Sequence, residues 1–434
     1  MPERGYAVIS LKTTGLFPYQ RDRVVEVAVV HLDEGGHITA RWETVVNPES
    51  NVGGSANHSI STAELLRAPT FAQIAPRLVN LLSGRVLVTH NAQFVTGFLM
   101  SEFEQIGYAP GRGLEAVCTM QLARRYLPGA GRLLVDCCAA YDIEIGPGPG
   151  ALVQAVACAS LLAAYVHGSP SAAPWTDALD RAALNVWPAI PRATTGPAPV
   201  GTALVGTALV GNALVGTEPV WVHRDPTRTD VLATPSFLAR VTVKLPDYTG
   251  PEKHLDYLAL LDLCLIDRVL LPRETRELRV LAQFSDISPT DCTALHRSYF
   301  EDLVRVAWSN GALNIADSAE LIAVARMLDV APEVVATALA TPAVAARQPV
   351  ASIDEVLLER GDIVVLTGDM ARPRADWGKE LVARGLSLGA AVTMRTRLLV
   401  AANPESFTGK TGKARDYGIP IVSEFGLRSL IGVH

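Results

Sequence analysis

Along the first 167 residues the apolar positions come in runs of two alternating kinds. YAVISL (6–11), VVEVAVVHL (24–32) and ITARWETVVN (38–47) are rich in β-branched residues, and the turn-forming Asp33-Glu34-Gly35-Gly36 separates the second from the third. They read as three consecutive strands. FAQIAPRLVNLLS (71–83) and AQFVTGFLMSEF (92–103) instead repeat their apolar residues at helical spacing, and RVLVTH (85–90) between them fits a short buried strand. ALVQAVACASLLAAYV (151–166) is a helix entered through the Gly-Pro cluster GPGPG. Strands first, then strands and helices together, predict an α/β domain over residues 1–167.

Beyond that domain the pattern changes three times. Residues 168–235 are rich in Pro, Ala, Thr and Gly and contain GTALVGTALVGNALVG. Three pentapeptides are too few to stack as a solenoid, so a linker is predicted here, mobile around 190–220. Residues 236–342 are nearly all helical by pattern and carry an internal duplication. Asp267-Arg268-x-Leu270-x-Pro272-x-Glu274 lines up with Asn310-Gly311-x-Leu313-x-Ile315-x-Asp317. Leu278 then matches Leu321, Ala282 matches Ala325, and Ile287-Ser288-Pro289 matches Val330-Ala331-Pro332. Neither half offers the run of oxygen ligands that calcium requires, so the acid in each is read as complementing a helix N-terminus. Residues 355–434 predict a small α/β unit, with strands at IVVLTG (363–368), RLLVAAN (397–403) and IPIVS (419–423) around helices at WGKELVARG (377–385) and GKARDYG (412–418).

A chain of 434 residues predicts two to four domains. No stretch reaches the roughly 18 apolar residues of a membrane helix. A net charge of −6 argues against a protein that coats nucleic acid non-specifically, so any such contact has to be local. Cys118, Cys137, Cys138, Cys158, Cys264 and Cys292 show no CxxC spacing and sit in apolar segments. Together with an opening, MPERGYAVIS, that lacks a signal-peptide pattern, they predict reduced thiols and a cytoplasmic protein.

VISLKTTGL (8–16), VTHNAQFVTGFL (88–99), AVCTMQLARRYLP (116–128) and GPGALVQAVACASLL (148–162) resemble, in order and interval, the motif segments of DEDDh-type 3′→5′ exonucleases. That is the family of the proofreading subunit of bacterial replicative polymerases. The resemblance covers residues 5–167 and implies a ribonuclease H-like exonuclease fold. The family motifs read apolar-apolar-Asp-x-Glu-Thr-Thr-Gly, His-Asn-Ala-x-Phe-Asp and His-x-Ala-Leu-x-Asp-Ala. Their four acids hold two divalent ions about 4 Å apart, and their histidine acts as general base.

In this sequence every one of those positions departs. The first Asp is Ser10, the Glu is Lys12, the second-motif Asp is Val95, the histidine falls at Pro149 and the last Asp is Gln154. Thr13, Thr14, Gly15, His90, Asn91, Phe94, Ala151 and Leu152 keep the pattern around them. Magnesium and manganese need hard carboxylate oxygens, so the resemblance implies the fold without its metal centre: no catalytic residue, no metal and no cofactor. Lys12 either grips a phosphate or a 3′ end, or points to solvent or pairs with a nearby acid. His90 is expected to hydrogen-bond in the core, and His58 to serve a turn or rim.

The C-terminal unit resembles BRCT domains of bacterial DNA ligases and clamp-loader subunits, through GDIVVLTGDM, AAVTMRTRLLVAANPES and GKTGKARDYGIPIVSE. The resemblance implies that Thr367, Gly368 and Lys413 form a phosphate site, with Arg372, Arg374, Arg395 and Lys410 able to extend it. Residues 361–434 hold ten Lys/Arg against seven Asp/Glu, so the unit is locally basic. The helical residues 236–342 resemble the TerB-like family. These readings predict a catalytically inactive exonuclease-fold scaffold in DNA metabolism. It would bind a nucleic-acid end, or a phosphorylated or other protein partner, through the BRCT-like unit, with no membrane partner. Two alternatives stay open. One is an active exonuclease that uses Mg²⁺ or Mn²⁺ and acids off the motif, with Glu115, Asp136 and Glu144 nearby. The other is a purely protein-interaction regulatory module.

Overall fold

The computed structural model describes residues 4–18, 22–49, 60–110, 114–127, 131–169, 171–190, 221–223, 237–242, 245, 248, 250–266, 278–283, 285–308, 313–340, 356–368, 370–389, 391–393, 395–404 and 409–432. His58, the pentapeptide repeat, and the Asp267–Glu274 and Asn310-Gly311 parts of the duplication lie outside them.

Five strands form the N-terminal sheet: β1 (Tyr6–Thr13), β2 (Val24–Leu32), β3 (Ile38–Val45), β4 (Val86–Thr89) and β5 (Ala116–Cys118). Their order is β3-β2-β1-β4-β5, antiparallel among the first three and parallel from β1 through β4 to β5. Side chains alternate across a strand, and both faces of β1 and β2 are covered. Tyr6, Val8, Ala28 and Val30 pack with α5 (Leu134–Ala140), α6 (Ala151–His167) and α7 (Ala173–Leu184). Ala7, Ile9, Val27 and Val29 pack on the other face with α2 (Phe71–Leu82) and α3 (Ala92–Gln105). Burial on both sides explains why these strands read as near-continuous apolar runs. The helices α1 (Thr62–Arg67) and α4 (Thr119–Tyr126) complete the domain.

Part of the segment 168–235, expected as a linker, is ordered against the N-terminal domain. Residues 173–184 form α7, whose Trp175 is 8% exposed and lies edge-on to Tyr6 with ring centroids 6.3 Å apart. Trp187 packs edge-on to Phe103 at 6.1 Å. Residues 221–223 return to the edge of the same sheet, where Val45 N–H donates to the Val222 carbonyl at 2.7 Å. The aromatic anchors overrode the Pro/Ala-rich composition, since each buries a large apolar area.

The second region is helical: α8 (Phe237–Thr242), α9 (Lys253–Ile266), α10 (278–283), α11 (Pro289–Trp308), α12 (Ile315–Met327) and α13 (Pro332–Ala340). The two halves match at their described ends. Asp286 and Asp329 both take positive φ, 49° and 53°. Ile287 N–H then bonds back to Ala282 O, as Val330 N–H does to Ala325 O. Leu278, Ala282, Leu321 and Ala325 share one core with Tyr299 and Phe300.

The third region is a parallel sheet in the order β7-β6-β8-β9. It is built from β6 (Ile363–Thr367), β7 (Ser387–Gly389), β8 (Thr396–Ala401) and β9 (Ile421–Val422). Val364, Leu398 and Val400 pack against α14 (Arg374–Ala383) and α16 (Glu424–Leu430), with Trp377 fully buried. Val365 and Leu399 pack on the opposite face against α15 (Gly409–Asp416) through Ala414. No helix among the described residues is long and apolar enough to cross a membrane.

Candidate functional site

Four of the five replaced motif positions meet in one place. Ser10 and Lys12, two apart on β1, join Val95 from the first turn of α3 and Gln154 from the first turn of α6 in lining a cavity of about 470 Å³. Ser10 Oγ donates to Gln154 Oε1 at 3.2 Å across it. Pro149 is half-buried in the loop before α6 and outside this lining, whereas its neighbour Gly148 is part of it. Helix α9 of the second region closes part of the wall with Ala259 and Leu263.

The retained scaffold residues shape the cleft for visible reasons. Thr14 Oγ1 accepts the Arg23 N–H at 2.9 Å, and the Asp22 carboxylate accepts the Phe17 N–H at 3.0 Å. That carboxylate lies so close to Gly15 that a Cβ would stand 2.3 Å from its Oδ2, so any other residue there would push the Asp22 side chain aside. Asn91 takes φ 62° and caps α3, accepting the Phe94 N–H; asparagine tolerates the left-handed region and suits an N-cap.

Among the described residues no Asp or Glu lines the cavity. Lys12 stands in register with Glu26 on β2, and Glu26 is 1% exposed and accepts the Ala151 N–H at the start of α6 at 3.1 Å. A hydroxyl, a carboxamide and an ammonium do not suit Mg²⁺ or Mn²⁺. Among the described residues no group of three His, Cys, Asp or Glu side chains is placed to hold a metal ion. Glu115 and Glu144 are exposed and outside the cavity, and Asp136 is buried elsewhere.

His90 has both ring nitrogens engaged, Nδ1 at 2.9 Å from Thr119 Oγ1 and Nε2 at 2.9 Å from the Arg132 carbonyl. A carbonyl can accept and never donate, so Nε2 carries the proton and the Thr119 hydroxyl donates to Nδ1. Burial pushes this imidazole down to about 4, which keeps it neutral.

The segment just beyond His90's partner ties the three regions together. Arg132 pairs with Asp262 of α9, Nε to Oδ2 at 3.1 Å and Nη2 to Oδ1 at 3.0 Å, while Tyr299 Oη donates to the same Oδ1 at 2.7 Å. Asp136 on α5 accepts from Lys413 on α15, with side chains 1% and 4% exposed. Burial pushes the Asp136 carboxyl up to about 6, against the lowering pull of the Lys413 ammonium. Sequence reasoning missed Arg132 and Asp262. Asp136 and Asp262 are lone charges inside apolar runs, LLVDCCAA and LALLDLCLI, and that pattern was the available signal.

The expected phosphate site is therefore not an open one. Thr367 Oγ1 donates to Asp142 Oδ2 at 3.2 Å, and Lys413 is buried against Asp136. Gly368 takes φ +84°, and a Cβ there would stand 2.8 Å from Ala402 Cβ. Lys410 is 7% exposed and Arg374 bonds the Gly368 carbonyl, while Arg372 lies over Trp377 and pairs with Glu380. The enclosure of these residues has one physical cause: α15 docks its cationic face on α5, which the sequence of the unit alone does not reveal.

Residues 11–147 match the family model described as Exonuclease, RNase_T. Over 131 residues the chain is 29% identical to the 3′-5′ exonuclease DinG of Bacillus subtilis (strain 168), covering 30% of this chain and 14% of that protein. Over 181 residues it is 27% identical to DNA polymerase III subunit epsilon of Escherichia coli (strain K12), covering 38% of this chain and 73% of that one. The solved nuclease domain of 3′hExo, a DEDDh family member bound to rAMP, is 16% identical over 38% of this chain and 92% of its own, with a TM-score of 0.35.

Proposed function

We propose that this chain, whose residues 11–147 form an exonuclease-family domain related to DNA polymerase III subunit epsilon and DinG, is a non-catalytic scaffold of DNA metabolism. It recognises a nucleic-acid end or a protein partner. The observation that carries this reading is the lining of the cleft: Ser10, Lys12, Val95 and Gln154 stand where the motif acids would stand, and among the described residues no carboxylate joins the lining from elsewhere. Two-metal phosphodiester cleavage needs those oxygens. Lys12 and Gln154 cannot supply them.

The boundaries 1–167, 236–342 and 355–434 are proposed as exonuclease-like, TerB-like helical and BRCT units, joined by a linker within 168–235. The all-parallel order β7-β6-β8-β9 and the Thr367-Gly368 turn at the end of β6 support the BRCT reading. The paired Asp286 and Asp329 turns support a duplicated helical unit. The six cysteines, which form no disulfide among the described residues, suit the cytoplasm. Thr367, Gly368 and Lys413 are proposed as the phosphate-recognition residues.

The test is an incubation of the full chain with 3′-labelled single- and double-stranded oligonucleotides in Mg²⁺ or Mn²⁺. Unchanged substrate is expected. Metal-dependent, ladder-like shortening that co-purifies with the protein would restore the active-exonuclease alternative.

A further inference from the structure

The C-terminal unit turns Lys410 and Lys413 inward, onto two carboxylates of the N-terminal domain. Asp142 follows α5 and receives three donors from that unit. These are the Thr367 hydroxyl at 3.2 Å on Oδ2, the Lys410 backbone N–H in the first turn of α15 at 2.5 Å on Oδ1, and the Lys410 ammonium at 3.3 Å from Oδ2. Asp136, six residues earlier, receives the Lys413 ammonium. Lys410 and Lys413 are three apart on α15 and therefore share a face of it.

These donors are arranged for an anion. A hydroxyl, a helix-terminal N–H and an ammonium converging on two oxygens meet a carboxylate here, and the same set meets the terminal oxygens of a phosphoryl group. A phosphomonoester brings more charge, about −1.5 to −2 against −1, and a third acceptor oxygen. Asp142 also holds an unfavourable backbone, φ 58°, where glycine or asparagine is at home. Its side chain keeps 38% of its surface exposed, so a competing anion can approach from solvent.

We propose that Asp142 and Asp136 occupy, in cis, the phosphate site of the C-terminal unit, and that a phosphorylated polypeptide segment competes with them and releases the unit from the N-terminal domain. This rests on the reading of Thr367 and Lys413 as phosphate-recognition residues. A phosphopeptide is favoured over a DNA strand by charge. A DNA strand brings a row of further phosphates against a chain of net charge −6 and against the two displaced aspartates, whereas a phosphopeptide delivers a single dianion to one compact set of donors. Lys413 becomes uncovered when Asp136 leaves, and the incoming phosphoryl group replaces the lost counter-charge.

The test uses the full chain and two fluorescent probes, a degenerate phosphothreonine peptide pool and a 5′-phosphorylated oligonucleotide, with the unphosphorylated pool as control. Asp142→Gly removes the competing carboxylate and suits the observed φ, so it keeps the fold; Asp136→Asn/Asp142→Gly removes both. Binding of the phosphothreonine pool is expected to tighten by about tenfold or more in these variants, because the competent fraction of the site rises. Thr367→Ala and Lys410→Ala are expected to lose it. Hydrogen exchange in the unmodified chain should accelerate in α5 when the pool is added. Equal affinity in the unmodified chain and Asp142→Gly, with exchange unchanged, overturns the competition and leaves the phosphate site standing. No phosphate-dependent binding in any variant overturns the site reading itself. Tightening for the 5′-phosphorylated oligonucleotide and not for the peptide pool overturns the assigned partner class.

Discussion

Arg132 and Asp262 form a bidentate ion pair between the N-terminal domain and the helical region, with side chains 9% and 2% exposed. Breaking such a pair from one side strands a buried charge, which costs about 3–5 kcal/mol, whereas removing both partners is far milder. Asp262→Ala should therefore lower stability by about that amount, and Arg132→Met/Asp262→Ala should recover most of it. Urea denaturation of the three proteins checks this. A double variant as unstable as the single one would mean that the stranded guanidinium is not the source of the loss.

The cleft makes the opposite kind of prediction, a gain. Ser10→Asp, Lys12→Glu, Val95→Asp and Gln154→Asp together return carboxylates to four positions that line one cavity. The quadruple variant should be less stable than the parent without metal, since four like charges crowd together. It should then be stabilised by Mn²⁺, by about 2.7 kcal/mol at a hundredfold excess over the dissociation constant. The parent's melting temperature should not respond to Mn²⁺. A Mn²⁺-dependent rise in the parent would show that off-motif acids hold metal.

The strands were legible because both faces of β1 and β2 are covered, so that Val8 and Ile9 are equally apolar though they point to opposite cores. The cleft positions were legible because motif spacing fixes Ser10, Val95 and Gln154 on three elements that must converge. What escaped was long-range charge pairing. Lys413 reads as a surface cation in GKARDYG, and nothing local tells that Asp136, 277 residues away, lies over it. Helix α7 escaped for the converse reason, since its composition is that of a linker and its buried side chains are Trp175 and Leu179.

His90 sets an acid-side limit on stability. Its folded value, about 4, lies below the ordinary 6.5, so its contribution is fully present above pH 6.5 and is lost as pH falls through about 4. The difference of about 2.5 units corresponds to roughly 3 kcal/mol. His90→Gln keeps a donor for the Arg132 carbonyl and does not titrate. Between pH 6.5 and 4 the parent should lose about that much more stability than the variant, and the gap should stop growing below pH 4. Asp136 and Asp256, both pushed up to about 6 by burial, contribute with the opposite sign in both proteins and cancel in the comparison. Parallel stability curves for the two proteins would refute the buried neutral imidazole.

The path of the chain between the first two regions yields the last prediction. Tyr108 Oη donates to the Pro188 carbonyl at 2.8 Å, and Trp187 packs on Phe103, so the chain is still on the N-terminal domain at residue 188. It is there again at 221–223. Val222 N–H donates to Thr44 Oγ1 at 3.2 Å, Val45 N–H donates to Val222 O, and Trp221 stands edge-on to Trp42 with ring centroids 5.5 Å apart. Cleavage at a protease site placed between residues 206 and 211 should therefore leave Val222 on the sheet edge, with the Val45 amide still protected from hydrogen exchange. Trp221→Ala removes an aromatic pair worth about 0.5–1.5 kcal/mol beyond its area, so the Val45 amide should exchange up to about tenfold faster in the uncut variant. If cutting the parent chain alone abolishes protection at Val45, the edge pairing is held by chain connectivity and not by Trp221, and the first domain ends near residue 190.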